Sequence, residues 1–249
     1  MNGQSFRIAT YNLQKCVGLD MRRRPDRSLS VIAALEADLV VLQEADKRLP
    51  PRPAALPHDM AEQDGWRILP FGAPGGSLGW HGNTMLARPG VTLCDTWHLE
   101  LPGLEPRGAI MAEIDTPIGP LRVIGVHLGL VRRYRLLQLA AIQRRLRRLP
   151  PMPTVLAGDF NEWGSAAALA AAVDDKRFAP TPPSYPAPRP VARLDRIATC
   201  DALVARATGT YAAKPAHIAG RRRIGRRDRL AGRTSDRPVD YEPPAQPRQ

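Results

Sequence analysis

The residues best suited to chemistry lie in one short stretch, Gly158-Asp159-Phe160-Asn161, which follows three apolar residues typical of a buried strand. Asp159 and Asn161 are two positions apart, so in an extended backbone their side chains leave on the same face. A carboxylate there can hold a hard cation or take a proton, and an amide can donate to an oxyanion. The pairing suits water attack on a phosphate beside Mg²⁺, although residues that merely cap the following helix would give the same pattern.

Polar side chains also end three other predicted strands. The first strand ends near Asn12, four apolar residues lead into Gln43-Glu44, and a later strand ends at His127. A carboxylate at the end of a buried strand is a natural metal ligand, although an exposed glutamate is also common there. A histidine at a strand end is more often structural than catalytic, so the other motifs must decide its role.

The composition bounds the class of protein. A length of 249 residues fits one large α/β domain or two small ones, and 43% hydrophobic residues suffice for a core. The chain has no run of about 18 apolar residues, and its polar first residues carry no signal-peptide pattern. Three widely spaced cysteines fit a reducing compartment rather than a disulfide framework or a zinc cluster. We therefore expect a cytoplasmic protein and a monomer, although no sequence feature fixes the oligomeric state.

Basic charge is concentrated in the tail. From Arg206 onward eleven Lys and Arg residues stand against four acidic ones, which places +7 of the total charge of +12 in this segment. Such a tail can attract nucleic acid or an anionic surface. A solvated basic tail without a partner is the more common case.

Hydrophobic periodicity predicts the elements that position these residues. A helix opens at Pro25, a second spans residues 132–149 with an arginine-rich face, and a third spans 165–173. The predicted strands are residues 6–13, 38–44, 66–69, 91–99, 109–114, 121–128, 155–157 and 191–198. The last of these carries Asp195 in its middle, where an acid needs a partner. Beyond about residue 203 the apolar pattern fades, and the chain becomes rich in arginine, glycine and proline.

Taken in order, the polar motifs resemble the endonuclease/exonuclease/phosphatase superfamily, which includes DNase I, exonuclease III-type repair nucleases, neutral sphingomyelinases and inositol polyphosphate 5-phosphatases. The matching motifs are Thr-Tyr-Asn at 10–12, Leu-Gln-Glu at 42–44, Gly-Asn at 82–83, His-Leu at 127–128, Gly-Asp-Phe-Asn at 158–161, Leu-Asp-Arg-Ile at 194–197 and Ser-Asp at 235–236. The resemblance covers about residues 6 to 200 well and the remainder poorly.

The resemblance implies an α/β fold of one domain. This fold is a four-layer αββα sandwich, in which two mostly antiparallel sheets pack face to face with helices outside. Residues 1–205 would form this domain, and residues 206–249 would be its degraded end, an atypical basic and proline-rich tail of irregular structure.

By the same resemblance, Glu44 would be the main ligand of Mg²⁺ or Mn²⁺, with Asn12 and Asp236 close to the metal. Asp159 would orient or deprotonate the attacking water. The chemistry is consistent, because a divalent cation neutralises the anionic phosphate while a carboxylate positions the water.

The remaining carried-over residues concern the phosphate. His127 would contact the phosphoryl oxygens or assist the leaving group, and Asn161 would help to bind the phosphate. Asp195 matches an acid of the catalytic set, and Arg107 and Asn83 are further candidates for phosphate contacts.

The last motif departs from the family pattern. Relatives carry Ser-Asp-His, one further residue and then Pro-Val, whereas this chain has Ser235-Asp236-Arg237-Pro238-Val239. Arginine stays protonated and cannot act as a base, and His217 matches no motif. Three explanations compete. The tail from about residue 204 is out of frame and the enzyme is damaged, the protein is a working enzyme that uses other groups, or it is a non-catalytic member that binds a phosphate-bearing ligand through the basic tail.

Two functions follow from these observations. The first is a Mg²⁺-dependent phosphodiesterase or phosphatase, a hydrolase with a nuclease-like site that acts on nucleic acid, a phospholipid head group or a small phosphodiester. The second is a catalytically impaired member that binds phosphate-bearing ligands or nucleic acid through its basic tail.

Overall fold

The computed structural model describes residues 5–47, 51–73, 76–186, 189–204, 206–212, 224–230 and 240–241. These residues form two six-stranded sheets and one two-stranded ribbon. The ribbon pairs β11 (Leu203–Val204) with β14 (Asp240–Tyr241).

The first sheet contains β1 (Ile8–Asn12), β2 (Leu39–Gln43), β3 (Arg67–Ile68), β4 (Thr84–Ala87), β12 (Arg206–Ala212) and β13 (Ile224–Leu230). Their order across the sheet is β12-β13-β1-β2-β4-β3. The β1 and β2 strands are parallel, and all other neighbours are antiparallel.

The second sheet contains β5 (Thr92–Leu101), β6 (Arg107–Thr116), β7 (Gly119–His127), β8 (Thr154–Asp159), β9 (Lys176–Phe178) and β10 (Asp195–Cys200). Their order is β5-β6-β7-β8-β10-β9. Here β7 and β8 form the one parallel pair among the described neighbours.

In the part of the chain that the structure describes, four α-helices cover the outer faces: α1 (Pro25–Ala34), α2 (His58–Gln63), α3 (Arg132–Leu146) and α4 (Ala167–Ala171). The first helix begins with Pro25 and Asp26. Proline is favourable there because the first turn of a helix leaves its N–H groups unpaired, so the missing N–H of proline costs nothing. The carboxylate of Asp26 interacts favourably with the helix dipole. Among the described residues, no helix combines the length and the apolar character that a membrane crossing requires.

Alternate residues of the strands build the core between the two sheets. Leu39 and Val41 of β2 lie in this inner core, whereas Val40 between them faces the other side. On β8, Val155 and Ala157 lie in the inner core. Both strands are apolar on both faces because each sheet is covered on both sides.

Two outer cores complete the four layers. Val40 and Leu42 pack with Leu29 and Ile32 of α1 on the outside of the first sheet. On the outside of the second sheet, Leu156 packs in a cluster that includes residues of α3 and α4. The predicted αββα sandwich is therefore confirmed, with mostly antiparallel sheets packed face to face.

The same alternation carries polar side chains to one end of the inner core. Asn12 lies four positions after Ile8, and Asp159 lies two positions after Ala157, and both apolar residues belong to the inner core. The parallel pairing of β7 with β8 sets His127 beside Asp159 in register. We term the end of the sandwich at which β1, β2, β7 and β8 finish the site end.

Some element bounds differ from the sequence predictions. Asp195 was expected in the middle of a strand, but β10 begins at Asp195. The preceding residues belong to the proline-rich loop, in which the Arg193 side chain donates to the carbonyl oxygen of Thr181 at 2.7 Å. The predicted helices at 132–149 and 165–173 are shorter in the structure.

The C-terminal part also differs from the irregular tail expected from the sequence. The β12 and β13 strands extend the first sheet beyond β1, and β14 pairs with β11. Sheet pairing is made by the backbone, so a segment rich in arginine can join a sheet without an apolar alternation that would reveal it.

Replacement of Ile110 by alanine should destabilise the fold. The Ile110 side chain is fully buried between the sheets, so its truncation leaves a cavity and should lower the free energy of unfolding by about 2–5 kcal/mol. Urea denaturation followed by circular dichroism measures this change. Val204→Ala, at a side chain that is 60% exposed, should change the free energy by less than about 0.5 kcal/mol. Equal destabilisation by the two variants would contradict the inner core described here.

Candidate active site

One asparagine side chain joins the two sheets at the site end. The Asn12 Nδ2 atom donates to Glu44 Oε1 at 3.2 Å and to Asp159 Oδ2 at 3.0 Å. Its Oδ1 atom accepts from the backbone N–H of Gln14 at 2.9 Å, which orients the amide with its donor side toward the carboxylates. In this arrangement Asn12 positions the two carboxylates, while its expected place near a metal remains a prediction.

Asp159 is held by its backbone as well as by this amide. The preceding Gly158 has a φ of +152°, and a Cβ there would approach the carbonyl oxygen of Val126 to 1.9 Å. Only glycine fits this close approach of β8 to β7. After the strand, the backbone N–H of Asn161 donates to Asp159 Oδ1 at 2.9 Å. The carboxylate is therefore buried and fixed through both of its oxygens.

His127 lies next to Asp159. Its Nε2 atom is 3.8 Å from Asp159 Oδ2, which is longer than a hydrogen bond. Burial lowers the pKa of His127, the carboxylates of Asp159 and Glu44 oppose this effect, and the charge of Arg107 adds to it. The imidazole is thus neutral near pH 7, with one nitrogen that donates and one that accepts.

Asp195 completes a row of three polar residues along the second sheet. Antiparallel pairing of β10 with β8 places it opposite Asp159, and parallel pairing of β7 places His127 on the other side of Asp159. The backbone N–H of Asp195 donates to Ser184 Oγ at 3.3 Å, which ties the proline-rich loop to this strand end. Three of the predicted catalytic residues are therefore neighbours.

Glu44 follows β2 and faces this row from the first sheet. The ammonium group of Lys15 contacts its Oε2 atom. Burial alone would raise the pKa of Glu44. The hydrogen bond and charge of Lys15, with smaller contributions from His127 and Asn12, lower the pKa by more than burial raises it, so it lies below its ordinary value. Glu44 is consequently ionised at neutral pH. The sequence reasoning did not identify Lys15, although its position three residues after Asn12 was the available signal.

The oxygen atoms of this site fit the preference of Mg²⁺. Glu44 and Asp159 supply carboxylate oxygens, the ligands that a hard cation takes, and they bond to the same nitrogen of Asn12. Among the described residues, no group of three or more His, Cys, Asp or Glu side chains could hold a metal ion. Magnesium in phosphate-processing sites is commonly held by one or two carboxylates together with the substrate, so the donor set agrees with it.

The predicted phosphate-binding residues have other contacts in this structure. Asn161 donates from Nδ2 to the carbonyl oxygen of Leu128 at 2.8 Å, and Asn83 donates to that of Gly108 at 3.0 Å. Asn83 is almost fully buried and joins the two sheets. Their contacts with a phosphate, like that of Arg107, remain predictions.

Arg107 and Asp236 complete the set of predicted residues. Arg107 is the first residue of β6 and bonds to Glu105 at 3.0 and 2.6 Å, and its charge reaches His127. Asp236, the third predicted residue near the metal, lies outside the described residues, as do Ser235 and Arg237.

A buried ion pair supports the loop that follows β8. The Arg135 guanidinium bonds to Glu162 at 2.9 Å and to the carbonyl oxygens of Gly129 and Leu130 at 3.2 and 2.6 Å. Both charged side chains are buried. The pair connects α3 with the loops that follow His127 and Asp159. It was not predicted, because Arg135 is one of many arginines in its helix and only the tertiary structure buries it.

The chain is similar to known proteins in sequence and in structure. The sequence model of the Endonuclease/Exonuclease/phosphatase family matches residues 9–236. An uncharacterized protein of Escherichia coli strain K12, YbhP, is 27% identical over 212 residues, which cover 78% of this chain and 84% of that protein.

Solved structures share the fold. An endonuclease/exonuclease/phosphatase from Beutenbergia cavernae has a TM-score of 0.66 at 21% identity, covering 92% of this chain and 72% of that chain. TDP2 of D. rerio, in complex with a single-strand DNA product, has a TM-score of 0.70 at 14% identity, covering 91% of this chain and 100% of that chain. Similarity at these identities concerns the fold alone.

Replacement of Lys15 by methionine should strengthen binding of a divalent cation at Glu44. The ammonium group occupies one carboxylate oxygen and repels a second cation, so its removal should lower the dissociation constant for Mn²⁺ several-fold. Isothermal titration calorimetry measures the constant. Lys47→Met, which leaves the contact between Lys15 and Glu44 in place, should leave the dissociation constant unchanged. Weaker Mn²⁺ binding by Lys15→Met would show that Lys15 supports the cation site rather than competing for it.

Proposed function

The chain belongs to the endonuclease/exonuclease/phosphatase family, and we propose that it is a Mg²⁺-dependent hydrolase of phosphate esters with a phosphodiester as its substrate class. One observation carries the proposal. The side chain of Asn12 donates to the carboxylates of both Glu44 and Asp159, which come from different sheets. His127 lies next to Asp159. A cation, an attacking water and a phosphate require charges and donors of this kind within one small volume.

Glu44 would hold the cation, since it is ionised at the site end. Bound Mg²⁺ supplies positive charge that neutralises the phosphate and the charge that develops as the ester bond breaks. Lys15, which contacts this carboxylate, would compete with the cation for it.

Asp159 would position the attacking water and accept its proton. The N–H of Asn161 fixes its Oδ1 atom, and Asn12 fixes its Oδ2 atom, so little conformational freedom is lost when water binds. As the water oxygen bonds to phosphorus and the ester oxygen leaves, the proton passes from the water to the carboxylate.

His127 would donate from its neutral ring to a phosphoryl oxygen. Burial lowers the pKa of His127 and keeps the imidazole uncharged, although the adjacent carboxylates of Asp159 and Glu44 raise that pKa. Arg107 adds positive charge on the same side of the site. Asp195 stands next to Asp159 and would fix the geometry of this strand end.

Hydrolysis of bis(p-nitrophenyl) phosphate tests the proposal. We expect turnover with Mg²⁺, none with EDTA, and a loss of about 10²–10⁴-fold in kcat for Asp159→Asn, because the amide cannot accept the proton. Asp115→Asn alters an exposed carboxylate at the opposite end of the second sheet and should retain full activity. Turnover that persists in EDTA would contradict the metal-dependent mechanism.

The sequence of the tail favours a second candidate, a catalytically impaired member that binds phosphate-bearing ligands or nucleic acid. The histidine of the Ser-Asp-His pattern is absent after Asp236, and the tail carries +7 of the net charge. Insertion of a histidine between Asp236 and Arg237 separates the candidates. Turnover by the inserted variant alone, with salt-sensitive oligonucleotide binding by the natural chain, would support impairment. Turnover by the natural chain would contradict it.

A further inference from the structure

Exposed hydrophobic side chains are concentrated at the site end. Among the residues whose exposure the structure describes, seven large hydrophobic side chains are more than half exposed. The seventh, Val204, follows β10 and lies at the opposite end. The other six lie on loops beside the site residues and form what we term the apolar rim: Met21, Leu104, Leu130, Val131, Trp163 and Val191.

The apolar rim is assembled from five separate loops. These loops follow β1, β7 and β8 and precede β6 and β10. Since β6 is antiparallel to β7 and β10 is antiparallel to β8, the first residues of β6 and β10 lie at the same end as His127 and Asp159. The rim therefore lies at the same end of the sandwich as the candidate active site.

Arginines on the same loops give the site end a positive surface. Exposed arginines follow β1, follow β7 and precede β10: Arg22, Arg23, Arg132, Arg133, Arg189 and Arg193. At the opposite end Arg147 pairs with Asp174 and Arg177 with Asp201, each at 2.8 Å, while Arg144 and Arg148 are exposed. At the site end the exposed arginines lie on the same loops as the apolar side chains.

Trp163 is the largest member of the apolar rim. Its ring is 60% exposed although it makes an edge-on contact with Tyr185, with ring centroids 5.4 Å apart. The buried Glu162 beside it is anchored to Arg135, so the backbone that carries Trp163 is fixed. A tryptophan held outward in this way suits the interface between water and lipid, where its polar N–H and apolar ring are both accommodated.

We propose that the apolar rim and its arginines bind the surface of an anionic phospholipid bilayer. Single exposed hydrophobic residues are normal on a protein, but six of seven around one site are not a random distribution. A flat surface can contact side chains from five loops at once. Lipid headgroups supply negative charge opposite the arginines, and the acyl boundary receives the apolar side chains.

This inference extends to the substrate, and that extension rests on the proposed function. A bilayer seated on the apolar rim would bring headgroup phosphates to the end of the sandwich that carries Glu44, His127 and Asp159. The phosphate ester hydrolysed would then be that of a phospholipid headgroup, reached without removal of the lipid from the bilayer.

Vesicle binding tests the surface. The natural chain should cosediment with vesicles of phosphatidylcholine and phosphatidylglycerol at low salt, and not with phosphatidylcholine alone. Met21→Asn combined with Val191→Ser should weaken the apparent affinity about tenfold or more, since both changes remove apolar contacts with lipid. Both side chains are well exposed, so the double variant should fold and should hydrolyse soluble bis(p-nitrophenyl) phosphate as the natural chain does.

Matched controls separate lipid contact from general hydrophobicity. Leu137→Ser combined with Val204→Ser removes two exposed apolar side chains outside the rim and should leave vesicle binding unchanged. On binding, tryptophan emission should shift to shorter wavelength. Trp163→Phe should abolish the shift, because Trp163 is the member of the four tryptophans that lies on the apolar rim.

Two outcomes would overturn the inference: no cosedimentation with anionic vesicles at low salt, or equal loss of binding in the rim and control variants.

Other outcomes distinguish this surface from a protein interface and from the proposed function. If the natural chain self-associates, the rim variant does not, and neither binds vesicles, the rim is a protein interface instead. Hydrolysis of the soluble diester without vesicle binding would leave the proposed function intact and contradict the membrane surface alone. Vesicle binding by a chain without any hydrolysis would support the surface and contradict the proposed function.

Discussion

The amide nitrogen of Asn12 donates to two carboxylates that belong to different sheets, and the arrangement of the site depends on this contact. Two carboxylates this close repel each other, and partial burial weakens the screening of that repulsion by water. Donors at the ends of strands offset it, namely the ammonium of Lys15 on Glu44 and the N–H of Asn161 on Asp159. Because these donors directly follow strands that are paired in the two sheets, the packing of the sandwich holds the charges together before any substrate binds.

The hydrophobic core and the candidate active site are consecutive parts of the same inner faces. Leu39 and Val41 of β2 lie in the inner core, and Gln43 then bonds to Thr10 of β1 at 3.1 and 3.3 Å. This buried polar pair lies between the apolar interior and the charged side chain of Glu44. Burial of the apolar part supplies the stability, so the charged end of the same strands can remain positioned for chemistry.

The loops at the site end combine two properties that are usually kept apart. Their inner residues are fixed by buried hydrogen bonds and by the ion pair of Arg135 with Glu162, whereas their outer residues expose apolar and arginine side chains. Rigid loops can expose such side chains at little entropic cost on binding. The surface that would meet a substrate and the residues that would act on it are therefore parts of the same loops.

The sequence by itself predicted strands that end near Asn12 and His127, because apolar runs are read along the chain, and its local motifs carry the resemblance that implied the family and the four-layer sandwich. It missed Lys15, the burial of Arg135, and the strands that follow residue 205. Those features depend on which strands become neighbours, and long-range pairing leaves no local pattern when the backbone makes the contacts. Only the tertiary structure decided that Asn12 bonds to Asp159, 147 positions away, and that the apolar rim lies at the same end of the sandwich.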